Sequence, residues 1–438
     1  MTEARTPPES VDLLVVGAAE LATPQGTAAL GGATFGALRV IPRGAVAIRG
    51  ERIVGVGEEA ELRRAFRAER ELDADGGTIV PGFVDAHTHP VFAGTREEEF
   101  ELRTAGATYV EIAERGGGIV SSMRGVRGAS AGELLSGLLV RLGRFLESGT
   151  TTVEAKSGYG LSLADELKCL EVIAEANRLQ PVRLVPTFLG AHSYPPEFQG
   201  NHAAYVDLLV EEMIPAIASS GLAEYCDVFT EAHAFGLEES RRILTRARES
   251  GLRLRLHADQ LTGLGGAELA AELGATSADH LEFVGERGIA ALAAAGVVPV
   301  LCPLVPLYLR VDREAPARRM VAAGLTPALA TDFNPGSCYT QSMPEVFTWA
   351  ALRLGFSVGE CLVAGTLNAA ASLDRATELG SIEVGKRADL VVLDHPSHRL
   401  LCYEFGRNPV SAVVAGGRIV HRARPSSGPA RSGRDPGG

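Results

Sequence analysis

Between residues 78 and 331 the chain alternates eight short apolar runs with amphipathic helical stretches, a rhythm that few folds accept. The runs cover residues 78–84, 151–155, 182–188, 226–230, 252–257, 276–279, 297–301 and 326–331. Helical patterns lie between most of them, at Leu134–Leu146, Asp165–Leu179, Ala203–Ile217, Leu237–Arg248, Gly266–Leu273, Gly288–Ala295 and Pro316–Ala323. Leu134, Leu135, Leu138, Leu139, Leu142 and Phe145, for example, recur at the spacing of one helix face. Eight strands alternating with helices predict an α/β fold, a (β/α)8 TIM barrel. A doubly wound sheet would want a glycine-rich phosphate turn after its first strand, and the sequence has none there.

The flanks have a different texture. Val11–Val16 and Ala45–Val56 are rich in Val and Ile, with Arg49-Gly50-Glu51 as a turn, and predict small antiparallel β-structure up to about Gly77. Glu58–Glu71 is charged and helix-prone. β-texture returns after Asn368, in Ile382–Leu393 and in Val410–Val420 with its Gly416-Gly417 turn. The two β-rich ends are expected to pair as one discontinuous β-sandwich domain, residues 1–77 plus 378–421, beside a barrel of residues 78–377. Arg422–Gly438 is rich in Pro, Gly, Ser and Arg and is expected to be a disordered tail.

In a barrel of this kind the chemistry sits at the C-terminal ends of the strands, and the unusual polar residues fall there. His87 and His89 follow the first run; Glu154, Lys156 and Tyr159 the second; His192 the third. Glu231 and His233 follow the fourth, His257 and Gln260 the fifth, His280 the sixth, and Asp332 and Asn334 the eighth. Seven of the ten histidines (His87, His89, His192, His202, His233, His257, His280) belong to this half of the chain. In extended backbone residues two apart point to one side, so His87 and His89 can offer two imidazoles to one point. With His257 and Asp332 they would make a site of three nitrogens and one carboxylate oxygen, the open coordination of a catalytic metal. Such a metal lowers the pKa of bound water from ~15.7 towards ~7. Asp332 can both ligate and take the proton, with His280 as a neighbouring partner or proton carrier.

Net charge −12 disfavours nucleic acid and anionic membrane as partners, and no apolar stretch is long enough to span a bilayer. Met1–Ser10 is polar and does not read as a secretory signal. The six cysteines are scattered, without a Cys-x-x-Cys pair, which argues against a disulfide framework or a zinc knuckle. A cytoplasmic homodimer acting on a small molecule is the expectation.

The residues also resemble a family. His87-Thr-His-Pro-Val-Phe-Ala-Gly-Thr-Arg96-Glu, Gly116-Gly-Gly-Ile, Lys156-Ser-Gly-Tyr159-Gly-Leu, Leu189-Gly-Ala-His192, His257-Ala-Asp-Gln260, Ser277-Ala-Asp-His280-Leu and Thr331-Asp332-Phe-Asn334-Pro-Gly336-Ser337 are similar to the imidazolonepropionase family of the amidohydrolase superfamily. The resemblance spans roughly residues 78–420. It implies hydrolysis of 4-imidazolone-5-propanoate to N-formimidoyl-L-glutamate, in histidine degradation, with one divalent metal ion, zinc or iron. It further implies that Arg96 grips the propionate tail, since a guanidinium binds a carboxylate with two parallel hydrogen bonds. Tyr159 and His192 would contact tail or ring, Asn334, Gly336 and Ser337 the polar atoms of the ring, and Gly116–Gly118 would cover the pocket. Some superfamily members bridge two metals with a carboxylated lysine; here Lys156 is read as a structural neighbour of a single metal. Some relatives carry glutamate where this chain has Gln260. Glutamine cannot take a proton in that way, so Gln260 is expected to hydrogen-bond substrate while Asp332, with His280, acts as base. The alternatives are a single-metal deaminase of an aminated heterocycle and a catalytically inactive scaffold.

Overall fold

The computed structural model describes residues 8–107, 111–112 and 116–423. Eight strands follow one another in sequence order, every adjacent pair parallel: Phe83–Asp85, Thr150–Lys156, Arg183–Ala191, Tyr225–Thr230, Arg253–Ala258, Ser277–His280, Val298–Leu301 and Ala328–Leu329. The ring closes beyond the ends of the first and last strands, where Thr88 bridges in parallel to Phe333. His89 N donates to Phe333 O at 2.8 Å and Asp332 N to His87 O at 3.1 Å. The Asp85 carboxylate accepts Thr331 N at 3.0 Å and Thr331 Oγ1 at 2.6 Å. The closing seam of the TIM barrel therefore carries His87, His89 and Asp332 on one short stretch of paired backbone.

Helices cover the outside. Ala131–Glu147 is the clearest case: Ser130 and Glu133 cap its start reciprocally, and Leu134, Leu138, Leu142 and Phe145 are buried on its inner face. Their packing belongs to the largest apolar cluster of the molecule, which surrounds the barrel.

The termini meet beside it as two sheets. One runs Arg52–Glu58, Gly44–Arg49, Glu9–Val16, Phe66–Asp73; the other Arg418–Arg422, Val410–Ala415, Leu390–Leu393, Thr78–Pro81, Glu20–Thr23, Arg39–Pro42. Leu13, Val15, Val46 and Ile48 of the first share a core with Ile79, Leu390, Val392 and Val414 of the second. Val80, Val391, Leu393 and Val413 point the other way, into the barrel cluster, as the two-residue period of a strand requires.

Four details differ from the sequence reading. The run 78–84 is two strands in two sheets: Gly82 N donates to Asp389 O (2.9 Å) in the terminal sheet, whereas Phe83 N donates to Gly149 O (3.0 Å) in the barrel. Gly82 is the residue at the switch, and a Cβ there would lie 2.3 Å from Thr151 Oγ1. The N-terminal β-structure is mixed, because Glu9–Val16 pairs in parallel with Phe66–Asp73. Glu58–Glu71 is helical only over Glu59–Ala65 before continuing as that strand. Within Ile382–Leu393 only Leu390–Leu393 is strand. From residue 424 the expected tail lies outside the described residues.

Candidate functional site

Three imidazoles and a carboxylate converge at the C-terminal mouth of the barrel. His87 Nε2 and His89 Nε2 each lie 3.4 Å from Asp332 Oδ1, and His257 Nε2 lies 3.3 Å from His89 Nε2. All four residues are buried. Burial, reinforced by the Lys156 ammonium, pushes His87 well below the usual imidazole range. Burial, with His257 and Lys156, does the same to His89. Neutral rings present lone pairs, and here those lone pairs face one another rather than a donor. Among the described residues His87 Nε2 has no hydrogen-bond partner. Buried acceptors are normally paired, and a cation at the common point satisfies all four. Neutral imidazole and carboxylate suit zinc, iron, manganese or cobalt, so the residues fit a divalent metal.

Two of the three far nitrogens face carboxylates. His87 Nδ1 lies 2.6 Å from Asp279 Oδ2, and His257 Nδ1 lies 3.0 Å from Asp227 Oδ2. Protonated Nδ1 facing a carboxylate leaves the Nε2 lone pair for the centre. His280 lies beside the centre, its ring 5.0 Å from that of His87 and 5.3 Å from that of His257. Burial pushes His280 down to about 3 against the pull of Asp332, and it is neutral at physiological pH. Asp332 itself is pushed up by burial, opposed by His280 and His257. Asp332 (φ 49°) and His280 (φ 79°) both adopt left-handed backbone, a strained state that persists only where the surroundings over-determine it.

One cavity opens above. His89, Arg96, Tyr159, His192, Gln260, Asn334 and Ser337 line it together with His257, His280 and Asp332. His192 Nδ1 donates to Gly158 O at 2.8 Å, and its ring stacks on His89 at 4.9 Å. Tyr159 packs against His192 at 5.2 Å. Arg96 is buried, paired with Glu99 at 2.6 Å.

The amidohydrolase family model matches residues 78–420, and a bacterial imidazolonepropionase-like composite domain matches residues 44–68. The imidazolonepropionase of Symbiobacterium thermophilum is 51% identical over 414 residues, covering 94% of this chain and 97% of that one. The chain belongs to the imidazolonepropionase family. The family's protein from Porphyromonas gingivalis is 46% identical, covering 94% of this chain and 98% of its own. Among solved structures, guanine deaminase of E. coli (TM-score 0.72, 16% identity, covering 94% and 100% of the two chains) shares the fold. So does a zinc-bound adenosine deaminase from Xanthomonas campestris (TM-score 0.69, 21% identity, covering 94% and 93%).

Family membership leaves open what each side chain does, and the structure adds detail at two of the expected substrate contacts and at the expected cover. The Asn334 amide is taken up by its own loop: Nδ2 donates to Asp332 O (2.7 Å) and Ser337 Oγ (2.8 Å), while Oδ1 accepts Gly336 N (2.8 Å) and Ser337 N (2.7 Å). Its effect is to shape the turn after Asp332. Gly336 does not line the main cavity; it lies against Arg96, where a Cβ would sit 2.1 Å from Nη1. Gly118, expected to belong to a mobile cover, donates its N–H to Glu99 Oε1 at 3.1 Å. Two of the barrel-half histidines, His202 and His233, are exposed and do not line the cavity.

The residues that sequence reasoning missed are the charges beneath the centre. Asp227, Arg255 and Asp279 are fully buried. The signal was present: Arg255 lies two residues before His257, and Asp227 two before Phe229, on the barrel-facing side of otherwise apolar strands. Burial alone would raise Asp227, but His257 and Lys156 beside it hold it well below the usual carboxylate range. Lys156 lies 2.9 Å from Glu154 and 2.8 Å from Asp227. An ammonium so paired is a counter-charge to its neighbours, in keeping with a single-metal centre.

Proposed function

We propose that this chain is a metal-dependent hydrolase that opens the ring of 4-imidazolone-5-propanoate to N-formimidoyl-L-glutamate. The observation that carries the reading is a single cavity lined by both the histidine–aspartate centre and a buried arginine, Arg96. A neutral aminated heterocycle has no use for that guanidinium; a propionate tail does. His87, His89, His257 and Asp332 would hold one divalent ion, zinc or iron. Such an ion supplies Lewis-acid activation, bringing the pKa of water towards ~7.

The chain's own residues do the rest. Asp332 takes the proton of the attacking water as its oxygen joins the ring carbonyl carbon. The C–N bond breaks, the ring nitrogen leaves with a proton returned from Asp332, and the new carboxyl group releases water's second proton to solvent to become a carboxylate. Neutral His280, close to Asp332, can carry that proton. Arg96 anchors the tail, Tyr159 and His192 wall the ring, and Gln260 hydrogen-bonds it without exchanging protons. The cavity supports a small-molecule substrate, and a homodimer in the cytoplasm is our reading of the assembly and its location.

The test is turnover of freshly generated substrate, followed by loss of ring absorbance, before and after chelation. Chelator-sensitive formation of formimidoylglutamate is expected. Ammonia release from a purine or pyrimidine panel, with no turnover of the imidazolone, would transfer the substrate claim to a deaminase.

A further inference from the structure

Beneath the histidine–aspartate centre the barrel holds two cations and three carboxylates: Lys156, Arg255, Glu154, Asp227 and Asp279, all with fully buried side chains. Barrel interiors are ordinarily filled by branched aliphatic side chains. Burying charge costs several kcal/mol per ion even when paired, and a well-packed apolar set is often the more stable choice. A network of this size in that place calls for a reason other than stability.

The connections supply one. Lys156 Nζ lies 2.8 Å from Asp227 Oδ2, and that oxygen lies 3.0 Å from His257 Nδ1. Arg255 Nη2 lies 3.1 Å from Asp279 Oδ2, and that oxygen lies 2.6 Å from His87 Nδ1. The chains run side by side, with Lys156 Nζ 3.9 Å from Asp279 Oδ2 as a cross-brace. We propose that Lys156 and Arg255 are positioning residues for His257 and His87, each acting through one carboxylate. The inference rests on reading the centre as a metal site.

Asp279 is hydrogen-bonded at both oxygens, and Asp227 is bonded at one with the Lys156 ammonium beside the other. Asp227 Oδ1 accepts His257 N at 3.2 Å, and Asp279 Oδ1 accepts Ser277 Oγ at 2.6 Å. Turning Asp279 breaks its hydrogen bonds, and turning Asp227 breaks the His257 N bond and draws Oδ2 away from Lys156, so each imidazole is backed by a restrained carboxylate. The cations also reach the backbone that carries the ligands. Arg255 Nη2 donates to Ala86 O at 2.8 Å, the peptide leading into His87, while Nη1 donates to Ser372 O at 2.8 Å. Lys156 Nζ donates to Glu154 Oε1 at 2.9 Å, and Glu154 Oε2 accepts Thr88 N at 3.1 Å, between His87 and His89. The planar fork of Arg255 serves three acceptors at once, which an ammonium cannot copy from the same stem.

The measurement is the rate at which the zinc-loaded full-length protein gives up its zinc to excess chelating dye, beside the melting temperature of the metal-free protein. Lys156→Met and Arg255→Met are expected to release zinc about 10–100-fold faster than the parent, the range seen when partners behind metal ligands are removed. Arg255→Lys is expected to restore part of the loss. A charge-balanced variant, Lys156→Met with Glu154→Gln, removes one positive and one negative charge and leaves Asp227 in place. It carries the test where a single substitution prevents folding, and fast release is expected of it too. Release at the parent's rate from folded variants that merely melt lower would overturn the proposal and leave the network a structural one. A parent that binds no zinc or iron would instead remove the metal reading on which it stands.

Discussion

The barrel mouth and the core between the terminal sheets are both buried, yet they are made of different material. Between the sheets the core is aliphatic, with Leu13, Val15, Val46, Ile48, Ile79, Leu390, Val392 and Val414 meeting face to face. Under the mouth the same degree of burial encloses Glu154, Lys156, Asp227, Arg255 and Asp279. Aliphatic contact is non-directional, so that core sets a volume and contributes stability. Hydrogen bonds between buried charges set distances and angles, and leaving one unmade is expensive. One region can change shape slightly at modest cost; the other cannot, and it is the one beneath His87 and His257.

The contrast is sharpest at Asp332, which follows the eighth strand in strained backbone on the barrel seam. Asp332→Ala removes the candidate base together with one of the candidate ligands. Turnover is expected to fall by ~10³-fold or more, measured as kcat on the imidazolone substrate. Gln260→Ala in the same cavity should cost on the order of 10-fold in kcat/KM, the worth of one or two neutral hydrogen bonds. Comparable mild losses from both would mean that the proton goes elsewhere.

A step outward lies Glu166, whose buried carboxylate accepts Gly158 N, Gly160 N and Leu161 N at 2.8–3.2 Å. It holds the loop that presents Tyr159 and the carbonyl to which His192 donates. Glu166→Gln turns an N–H group towards one of those donors and loosens the loop. KM is expected to rise about 10-fold with kcat and zinc content near the parent's, since a few tenths of an ångström at positioning residues weaken binding before chemistry. A fall in kcat with KM unchanged would place Tyr159 and His192 in the chemistry instead.

What the sequence disclosed follows the same division. Periodicity exposes anything built on non-directional burial, so the eight strands and the apolar face of Ala131–Glu147 were legible. Histidines at strand ends were legible because barrel geometry says where strand ends go. The charges behind them were not, although each stands in plain view as a polar letter in an apolar strand. Arg255 in Leu-Arg-Leu-His reads equally well as a solvent-facing residue until the strand is known to be enclosed on both sides. The division of residues 78–84 between two sheets was hidden for the complementary reason. Thr78–Pro81 and Phe83–Asp85 each carry a short apolar run, and apolar pattern alone does not say which sheet a strand joins. The loop bonds of the Asn334 amide were hidden because a side chain that bonds its own loop and one that bonds a ligand have the same sequence.

The comparison can be broken most directly from its quieter side. Ile48 is fully buried in the terminal core, and Ile48→Ala should cost about 2–5 kcal/mol of stability through lost burial and the cavity left behind. The midpoint of urea unfolding should drop accordingly. If the two regions are as separate as their chemistry suggests, kcat/KM of the folded variant will equal the parent's. The result is not trivial, because Ile48 shares its core with Ile79, and Thr78–Pro81 passes through Gly82 into the strand that ends in the seam carrying His87. A shift in the terminal sheet has one short covalent path to the centre. The backbone bonds of His89 and Asp332 across the seam, and the Asp85 carboxylate on Thr331, oppose that shift. Unchanged kinetics would mean that these bonds isolate the centre from the core beside it. A fall in kcat would mean that the aliphatic region, too, helps to set the position of His87.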